Sequence, residues 1–240
     1  MARATQGPGA RGEDPGPSVA APSVAALGAR LAASGPGLGG ASPVEIDVGP
    51  GGLVRLLPGW VDDADAGFAA LRDEIPWAAT SIRMFGREVA EPRRTAWLGE
   101  VTYTYSGRAR APAPMTPTVA RLRAALEATL GVALPGCLAN LYRDGRDAMG
   151  WHADDEPELG PEPLVASLSF GARRRFLLKP RGGGAAVRLD LGPGDLLVMA
   201  GTSQRTHVHA LPRALRVAAP RVNLTFRAFP GTSGASDLRR

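Results

Sequence analysis

The chain has 240 residues, 44% of them hydrophobic, which suits one domain with a substantial core and two at most. Its formal net charge of +5 suits a polyanionic partner such as nucleic acid, although a composition rich in Ala, Gly, Pro and Arg produces the same bias by itself. The single cysteine, Cys137, excludes an internal disulfide and a Cys-based zinc site, and no apolar run is long enough to span a bilayer.

Both ends of the chain differ in composition from its middle. Residues 1–42 are mostly Ala, Gly, Pro and Ser and hold few large apolar side chains, so we predict a disordered tail there. Residues 231–240 are predicted to form a second tail. The folded domain is therefore expected over residues 43–230.

Two helices are predicted before the chain becomes rich in strands. The first covers residues 62–74 and begins at Asp62 and Asp63, residue types that favour helix N-termini. The second covers residues 117–130, with Thr116 as its cap and Pro117 at its first position. Its apolar residues recur at helical spacing, which indicates that one face packs on the core.

From Cys137 onward the pattern is one of short apolar runs separated by Gly, Pro and charged turns. Many short strands at even spacing are typical of a sandwich or barrel. We therefore predict a mainly β (α+β) fold, a two-sheet jelly roll whose helices buttress one sheet. The predicted strands cover residues 138–142, 164–170, 176–179, 187–191, 195–199, 207–211 and 222–229.

A histidine and a carboxylate stand two residues apart at His152 and Asp154, just after a turn. On an extended segment both side chains point to the same face, and a distant second histidine can complete a two-His-one-carboxylate site for non-heme Fe(II). The remaining histidines, His207 and His209, share one face of a predicted strand. The residues alone do not decide which of the two is the ligand.

Two arginines, Arg221 and Arg227, lie six residues apart on a predicted buried strand and therefore face the same way. Buried guanidinium groups need an anion, and a buried dicarboxylate cosubstrate would satisfy them through bidentate contacts. Asn140 and Tyr142 share a face of their own strand and could hydrogen-bond the same ligand. The alternative is a set of internal ion pairs with Asp or Glu.

These motifs occur together in one order, and that order resembles the AlkB family of Fe(II)/2-oxoglutarate dioxygenases, in particular its branch that repairs alkylated nucleic acids. The resemblance covers about residues 45–229 and implies the double-stranded β-helix, or jelly-roll, fold. The matching segments are 140–145 (NLYRDG), 152–156 (HADDE), 166–171 (ASLSFG), 194–199 (GDLLVM), 209–212 (HALP) and 220–227 (PRVNLTFR).

The resemblance implies a role for each candidate residue of the metal and cosubstrate sites. His152, Asp154 and His209 would be the Fe(II) ligands, with His209 preferred to His207 because of the Leu-Pro that follows it. O₂ would bind at an open position of the iron. The residues expected to bind 2-oxoglutarate are Arg221, which would grip its distal carboxylate, Arg227 near the chelating end, and Asn140, Tyr142 and Asn223.

The same resemblance implies a substrate-recognition lid over about residues 80–112. Met84 and Phe85 match a short hairpin finger that wedges into a duplex, and Arg93 matches part of the lid. Tyr103 and Tyr105 alternate onto one face where a flipped base could stack. Asp155 and, less closely, Glu156 match the acid that hydrogen-bonds the target base. Each of these residues also has a structural alternative as a core contact or solvated turn.

The resemblance implies oxidative dealkylation of 1-methyladenine- and 3-methylcytosine-type bases in DNA or RNA, coupled to 2-oxoglutarate decarboxylation and formaldehyde release. A cytoplasmic (nucleoid) location if bacterial, or a nuclear one if eukaryotic, is expected, with a monomer and no membrane association. Two other functions stay open: a 2-oxoglutarate oxygenase acting on a protein or small molecule, and a non-catalytic nucleic-acid-binding or metal-binding module.

Overall fold

The structure is a computed structural model that describes residues 22–33, 41–84, 87–105 and 108–230, excepting the side chains of residues 80, 82–89 and 103–110. Among the described residues no helix is long and apolar enough to cross a membrane. A 3₁₀ turn covers Pro157–Leu159. The α-helices of this part of the chain are α1 (Val24–Ala33), α2 (Ala64–Glu74), α3 (Pro117–Leu130) and α4 (Ser203–Thr206).

Antiparallel strands form most of the domain. The larger sheet has eight strands in the order β1-β2-β12-β9-β14-β7-β4-β3, the smaller sheet has the order β11-β10-β13-β8, and β5 pairs with β6. The strands are β1 (Val44–Ile46), β2 (Gly52–Leu57), β3 (Ala78–Met84), β4 (Arg87–Gly99), β5 (Tyr103–Tyr105), β6 (Arg108–Arg110), β7 (Gly136–Tyr142), β8 (Met149–His152), β9 (Val165–Gly171), β10 (Arg174–Pro180), β11 (Val187–Leu191), β12 (Leu196–Gly201), β13 (His207–Leu211) and β14 (Arg221–Arg227).

The two faces of the larger sheet are covered by different layers. On one face Leu71 of α2 and Leu126 of α3 pack with Phe170 and Leu224 of the sheet. On the other face apolar side chains of β2, β9 and β12 meet those of β10 and β11 in the smaller sheet. This arrangement of helices, large sheet and small sheet confirms the predicted mainly β jelly-roll fold.

The prediction of a disordered tail is wrong for α1 (Val24–Ala33), which lies within residues 1–42. Leu27 and Leu31 are one helical turn apart and are almost completely buried in the main core. Arg55 donates a hydrogen bond to the carbonyl of Gly28 at 2.8 Å, which ties the helix to β2. The Ala-rich sequence hides this helix because only two large apolar residues make its buried stripe.

The two predicted helices agree closely with α2 and α3. Asp63 caps α2 by accepting a hydrogen bond from the backbone N–H of Ala66 at 3.1 Å, so the helix begins at Ala64 rather than residue 62. Helix α3 covers the predicted residues, and Gly131 ends it in a left-handed conformation with φ of 71°. The strand ranges predicted from the apolar pattern include none before β7 and omit β8, although the resemblance implied a hairpin where β3 and β4 meet. In β4 the buried face includes charged side chains, which mask the apolar alternation.

Candidate active site

The smaller sheet brings the two distant histidines together. His209 of β13 is the direct antiparallel partner of His152 at the end of β8. Asp154 follows two residues later and is almost completely buried. One potential ligand atom from each of these three residues lies within 4.8 Å of the others, so the three side chains could hold a metal ion. The centroids of the two imidazole rings are 4.2 Å apart.

The pKa values of these three side chains favour metal binding near neutral pH. Burial lowers the pKa of His209 to about 3, and burial also lowers the pKa of His152. Burial alone would raise the pKa of Asp154, but the positive charge of Arg227, followed by smaller electrostatic contributions from the two histidines, lowers it well below its usual range. The cluster therefore presents two neutral imidazoles and one carboxylate, the protonation states that a divalent cation requires.

Neighbouring groups hold each of the three side chains in place. Nδ1 of His152 is 2.9 Å from the carbonyl oxygen of Gly150, a contact that suits a proton on Nδ1 and leaves Nε2 free for a metal. The ring of Phe176 stacks on His209 with centroids 5.3 Å apart. The backbone N–H of Asp154 donates to Oε1 of buried Gln204 at 3.0 Å.

The two carboxylate oxygens of Asp154 have different surroundings. Oδ1 accepts a hydrogen bond from Nη2 of Arg227. Oδ2 lies 3.6 Å from Nε2 of His209 and is therefore the oxygen that faces the cluster. Sequence reasoning placed Arg227 near the metal end of a cosubstrate, and the structure places it against a candidate metal ligand itself.

Beside the cluster is a cavity of about 40 Å³ between the two sheets. Arg221 lies in its wall, and its guanidinium is almost completely buried. Nη2 of Arg221 donates to Oγ of Ser169 at 2.9 Å, whereas its Nε has no hydrogen-bond partner among the residues that the structure describes. Burial lowers the pKa of Arg221 to about 10. This buried, incompletely paired cation has the chemistry of a carboxylate-binding group.

Four other residues predicted at the cosubstrate site also line the cavity: Asn140, Tyr142, Asn223 and Arg227. Asn140 accepts a hydrogen bond from Nε of Arg93 through Oδ1, at 2.8 Å. Tyr142 is the strand partner of Arg221, whose guanidinium carbon is 5.4 Å from the centre of the Tyr142 ring. The side-chain amide nitrogen of Asn223, Nδ2, already donates hydrogen bonds to Oγ of Ser167 and to the backbone carbonyl of Leu168.

The prediction that Arg93 contacts substrate disagrees with its position. The side chain is only 5% exposed, and it donates to Oε1 of Glu91 at 2.7 Å as well as to Asn140. The residue therefore belongs to the interior beneath the cavity, where an ion pair satisfies its charge. Alternation along β4 turns Glu91 and Arg93 inward, a placement that a sequence with no visible strand pattern did not reveal.

The two acidic residues that follow Asp154, Asp155 and Glu156, lie in different environments. Asp155 is exposed and forms an ion pair with Nη2 of Arg181. The same nitrogen of Arg181 donates to the backbone carbonyl of Gln204 at 3.1 Å, so it joins α4 to the segment after β8. Glu156 is half-buried. Sequence reasoning missed Arg181, because only the fold brings the residue after β10 beside Asp155.

The predicted finger and lid are described only in part. Strands β3 and β4 form an antiparallel hairpin in which Met84 pairs with Arg87, so the backbone has the predicted hairpin form. Phe85 lies outside the described residues, as does the side chain of Met84. Tyr103 and Tyr105 belong to β5, and their side chains are likewise outside the described part of the structure.

The structure separates the two histidines of β13. His209 is buried and reaches the cluster, whereas His207 is half-buried, and its Nδ1 is 2.9 Å from the hydroxyl of Thr206. Strand pairing distinguishes the two histidines. His209 lies opposite His152 of β8, whereas the partner of His207 is Pro180 of β10, on the other side of β13.

Comparison with known proteins gives matches that span most of this chain. A family model described as the 2OG-Fe(II) oxygenase superfamily matches residues 54–227. The chain is 38% identical over 206 residues to "Alpha-ketoglutarate-dependent dioxygenase alkB homolog 3" of Bos taurus, which covers 80% of this chain and 72% of that protein. It is 39% identical over 178 residues to "DNA oxidative demethylase ALKBH2" of Mus musculus, covering 69% of this chain and 74% of that protein.

A solved structure agrees with the fold. The structure of an oxidoreductase of the 2OG-Fe(II) oxygenase family from Burkholderia pseudomallei superimposes with a TM-score of 0.52 at 14% identity, covering 75% of this chain and 87% of that one. Together, the family model and the relatives show that the chain belongs to the AlkB family within the 2OG-Fe(II) oxygenase superfamily.

Proposed function

We propose that this dioxygenase removes alkyl groups oxidatively from N-alkylated bases of nucleic acid, with bases of the 1-methyladenine and 3-methylcytosine type in DNA as its substrates. The observation that carries the proposal is the meeting of three potential metal ligands with a buried, incompletely paired arginine across one cavity. The names of the relatives, an alkB homolog and a DNA oxidative demethylase, support the substrate class.

In this proposal His152, Asp154 and His209 hold Fe(II), and the ligand chemistry fits. Two neutral imidazoles and one carboxylate suit non-heme iron and leave positions open for a cosubstrate and O₂. Arg227 keeps the carboxylate ionised and directs its other oxygen toward the cluster. Phe176 shields the imidazole of His209 from water on one side.

The residues of the cavity would hold 2-oxoglutarate by its two carboxylates. Arg221 would supply a cation whose Nε has no partner in the described part of the chain, which fits the distal carboxylate. Tyr142 and Asn140 line the same cavity and would hydrogen-bond the ligand. Asn223 would contribute by shaping the wall, because its amide is held by Ser167 and Leu168.

When bound, the iron supplies the activation of O₂ that couples decarboxylation of 2-oxoglutarate to hydroxylation of a C–H bond. The overall reaction would divide the two atoms of O₂ between succinate, formed with loss of CO₂, and the N-methyl group. The N-hydroxymethyl base would then lose formaldehyde and regain its N–H or lone pair. The protein contributes by excluding water and by orienting the methyl group. Asp155, one residue beyond Asp154 and exposed, would face the positive charge of a methylated base.

Mass spectrometry of a DNA oligonucleotide with one 1-methyladenine tests the proposal. After incubation with protein, Fe(II), ascorbate and 2-oxoglutarate, we expect a mass loss of one methylene, and none with Asp154→Ala. An unchanged oligonucleotide accompanied by succinate release would reject nucleic-acid dealkylation in favour of an oxygenase with another kind of substrate. Neither change in folded, iron-loaded protein would reject the enzymatic proposal.

A further inference from the structure

A second buried arginine, Arg174, stands behind the wall of the cavity that holds Arg221. Arg174 begins β10 in the smaller sheet and is only 2% exposed. Its guanidinium carbon is 5.8 Å from the centre of the Tyr142 ring, and that of Arg221 is 5.4 Å from the same ring. One aromatic ring thus contacts two buried cations, one from each sheet.

Arg174 is fixed by backbone carbonyl groups and not by a described carboxylate. Its Nη2 donates to the carbonyls of Asp147 at 2.9 Å and Pro212 at 2.8 Å, and its Nη1 reaches the carbonyl of Asp144 at 3.2 Å. Its Nε has no hydrogen-bond partner among the described residues. The nearby carboxylates of Asp144 and Asp147 bind Arg146 and Arg143 instead. In the described part of the chain, the positive charge of Arg174 is therefore not neutralised by a direct ion pair.

The positive charge of Arg174 acts on the buried guanidinium of Arg221. Burial is the main cause that lowers the pKa of Arg221, and the positive charge of Arg174 adds to it. Burial likewise lowers the pKa of Arg174. Two buried like charges that share one ring raise the free energy of the empty site, and an anion with sufficient charge at this end of the cavity lowers it.

We propose that Arg174 is a positioning and specificity-determining residue of the cosubstrate site: it fixes Tyr142 against Arg221 and adds a second positive charge that favours a dicarboxylate over a monocarboxylate. The inference rests on the proposed function, in which Arg221 binds the distal carboxylate of 2-oxoglutarate. Arg174 does not line the cavity, so it acts through Tyr142 and through its electric field.

Two ligands that share a chelating head and differ in the distal carboxylate test this inference. N-oxalylglycine carries both carboxylates of 2-oxoglutarate, whereas oxamate carries only the head. Their dissociation constants are measured with Mn(II)-loaded protein by calorimetry or water-proton relaxation, which needs neither turnover nor nucleic acid. For Arg174→Met we expect roughly tenfold weaker binding of N-oxalylglycine and an oxamate constant within about twofold of wild type.

The matched control is Arg175→Met on the same strand. Arg175 is half-exposed and pairs with Asp190 on the surface, so its loss is expected to leave both constants unchanged. Arg174→Lys keeps the positive charge but lacks the paired donors of the guanidinium. We expect it to weaken binding of N-oxalylglycine by only roughly threefold. If Arg174→Met does not fold, the lysine variant decides between the same outcomes.

Equal weakening of both ligands in the Arg174 variants would overturn the inference, because Arg174 would then have only a structural role. Unchanged binding of both ligands would overturn it as well. Failure of the wild-type protein to bind N-oxalylglycine at all would reject the proposed cosubstrate site, and this inference with it. The two failures are therefore distinguishable.

Discussion

The carboxylate of Asp154 is shared between Arg227, which donates to Oδ1, and His209, whose Nε2 lies 3.6 Å from Oδ2. Both partners are buried, so the carboxylate stabilises the metal-free fold as well as the candidate metal site. Substitution of this residue should therefore have two separable effects, one on metal binding and one on folding.

We predict that Asp154→Ala abolishes Mn(II) binding and lowers the free energy of unfolding of the metal-free protein by about 3 kcal/mol, because a buried ion pair loses one partner. Urea denaturation in EDTA measures the second effect. Asp155→Ala, which removes an exposed carboxylate, is the control and should leave the unfolding midpoint nearly unchanged. An unaltered midpoint in Asp154→Ala would show that the Arg227 pair does not stabilise the fold.

The metal-free protein should lose stability as the pH falls below 6.5. Burial lowers the pKa of His209 from 6.5 to about 3, so in this range the unfolded chain binds a proton that the folded chain excludes. The contribution of His209 to the free energy of unfolding is fully present above pH 6.5 and declines as the pH falls toward the folded pKa, by about 2 kcal/mol at pH 5. Urea denaturation above pH 6.5 and at pH 5 measures this change. The variant His209→Gln should make the free energy of unfolding less dependent on pH.

Gln204 should be important for metal affinity although it is not a ligand. Its Oε1 accepts the N–H of Asp154, which fixes the backbone of the carboxylate. Gln204→Ala is expected to weaken Mn(II) binding by roughly tenfold, and Gln204→Glu, which keeps the acceptor, should retain most of it. Equal Mn(II) dissociation constants for the wild type and Gln204→Ala, from electron paramagnetic resonance titration, would contradict this role.

Arg221→Lys should separate cosubstrate binding from metal binding. A lysine keeps the charge but cannot offer the paired donors that a carboxylate accepts from a guanidinium. We expect the KM for 2-oxoglutarate to rise by roughly two orders of magnitude, with the Mn(II) dissociation constant within about twofold of wild type. Succinate release measures the first quantity. A normal KM would show that another cation binds the distal carboxylate.

The pair of Arg181 and Asp155 should influence which bases are repaired. Arg181 neutralises the carboxylate that we propose faces the base, so Arg181→Gln should increase the preference for cationic 3-methylcytosine over neutral 3-methylthymine by roughly threefold in kcat/KM. Arg205→Gln, an exposed arginine of α4, is the matched control. An unchanged ratio would place Asp155 outside the base-binding contacts.

The strands that carry the site could be predicted because each has a short apolar run between turn signals. The predicted ranges 187–191 and 207–211 coincide with β11 and β13. The face shared by Arg221 and Arg227 also followed from strand alternation. The choice between His207 and His209 needed either the resemblance or the observed pairing with β8, because both histidines point the same way along an isolated strand.

The supporting residues could not be predicted because their roles depend on contacts between distant segments. Arg174 begins β10, Arg181 lies in the turn after it, and Gln204 lies in the short helix α4. At such positions these residue types are ordinary surface choices. Arg93 shows the same dependence: the resemblance to a substrate lid implied substrate contact, whereas the structure buries this residue in an ion pair with Glu91.

Strand β8 forms one border of the smaller sheet, where its single described neighbour is β13. A metal ion bound by both His152 on the edge strand and His209 on its neighbour would cross-link the two strands. Metal binding would then slow deuterium uptake by the amides of 149–152. Removal of the metal by a chelator would speed exchange in this edge strand and leave exchange in the larger, helix-covered sheet unchanged. Metal occupancy would in this way become visible in the backbone, independently of any chemistry performed on a base.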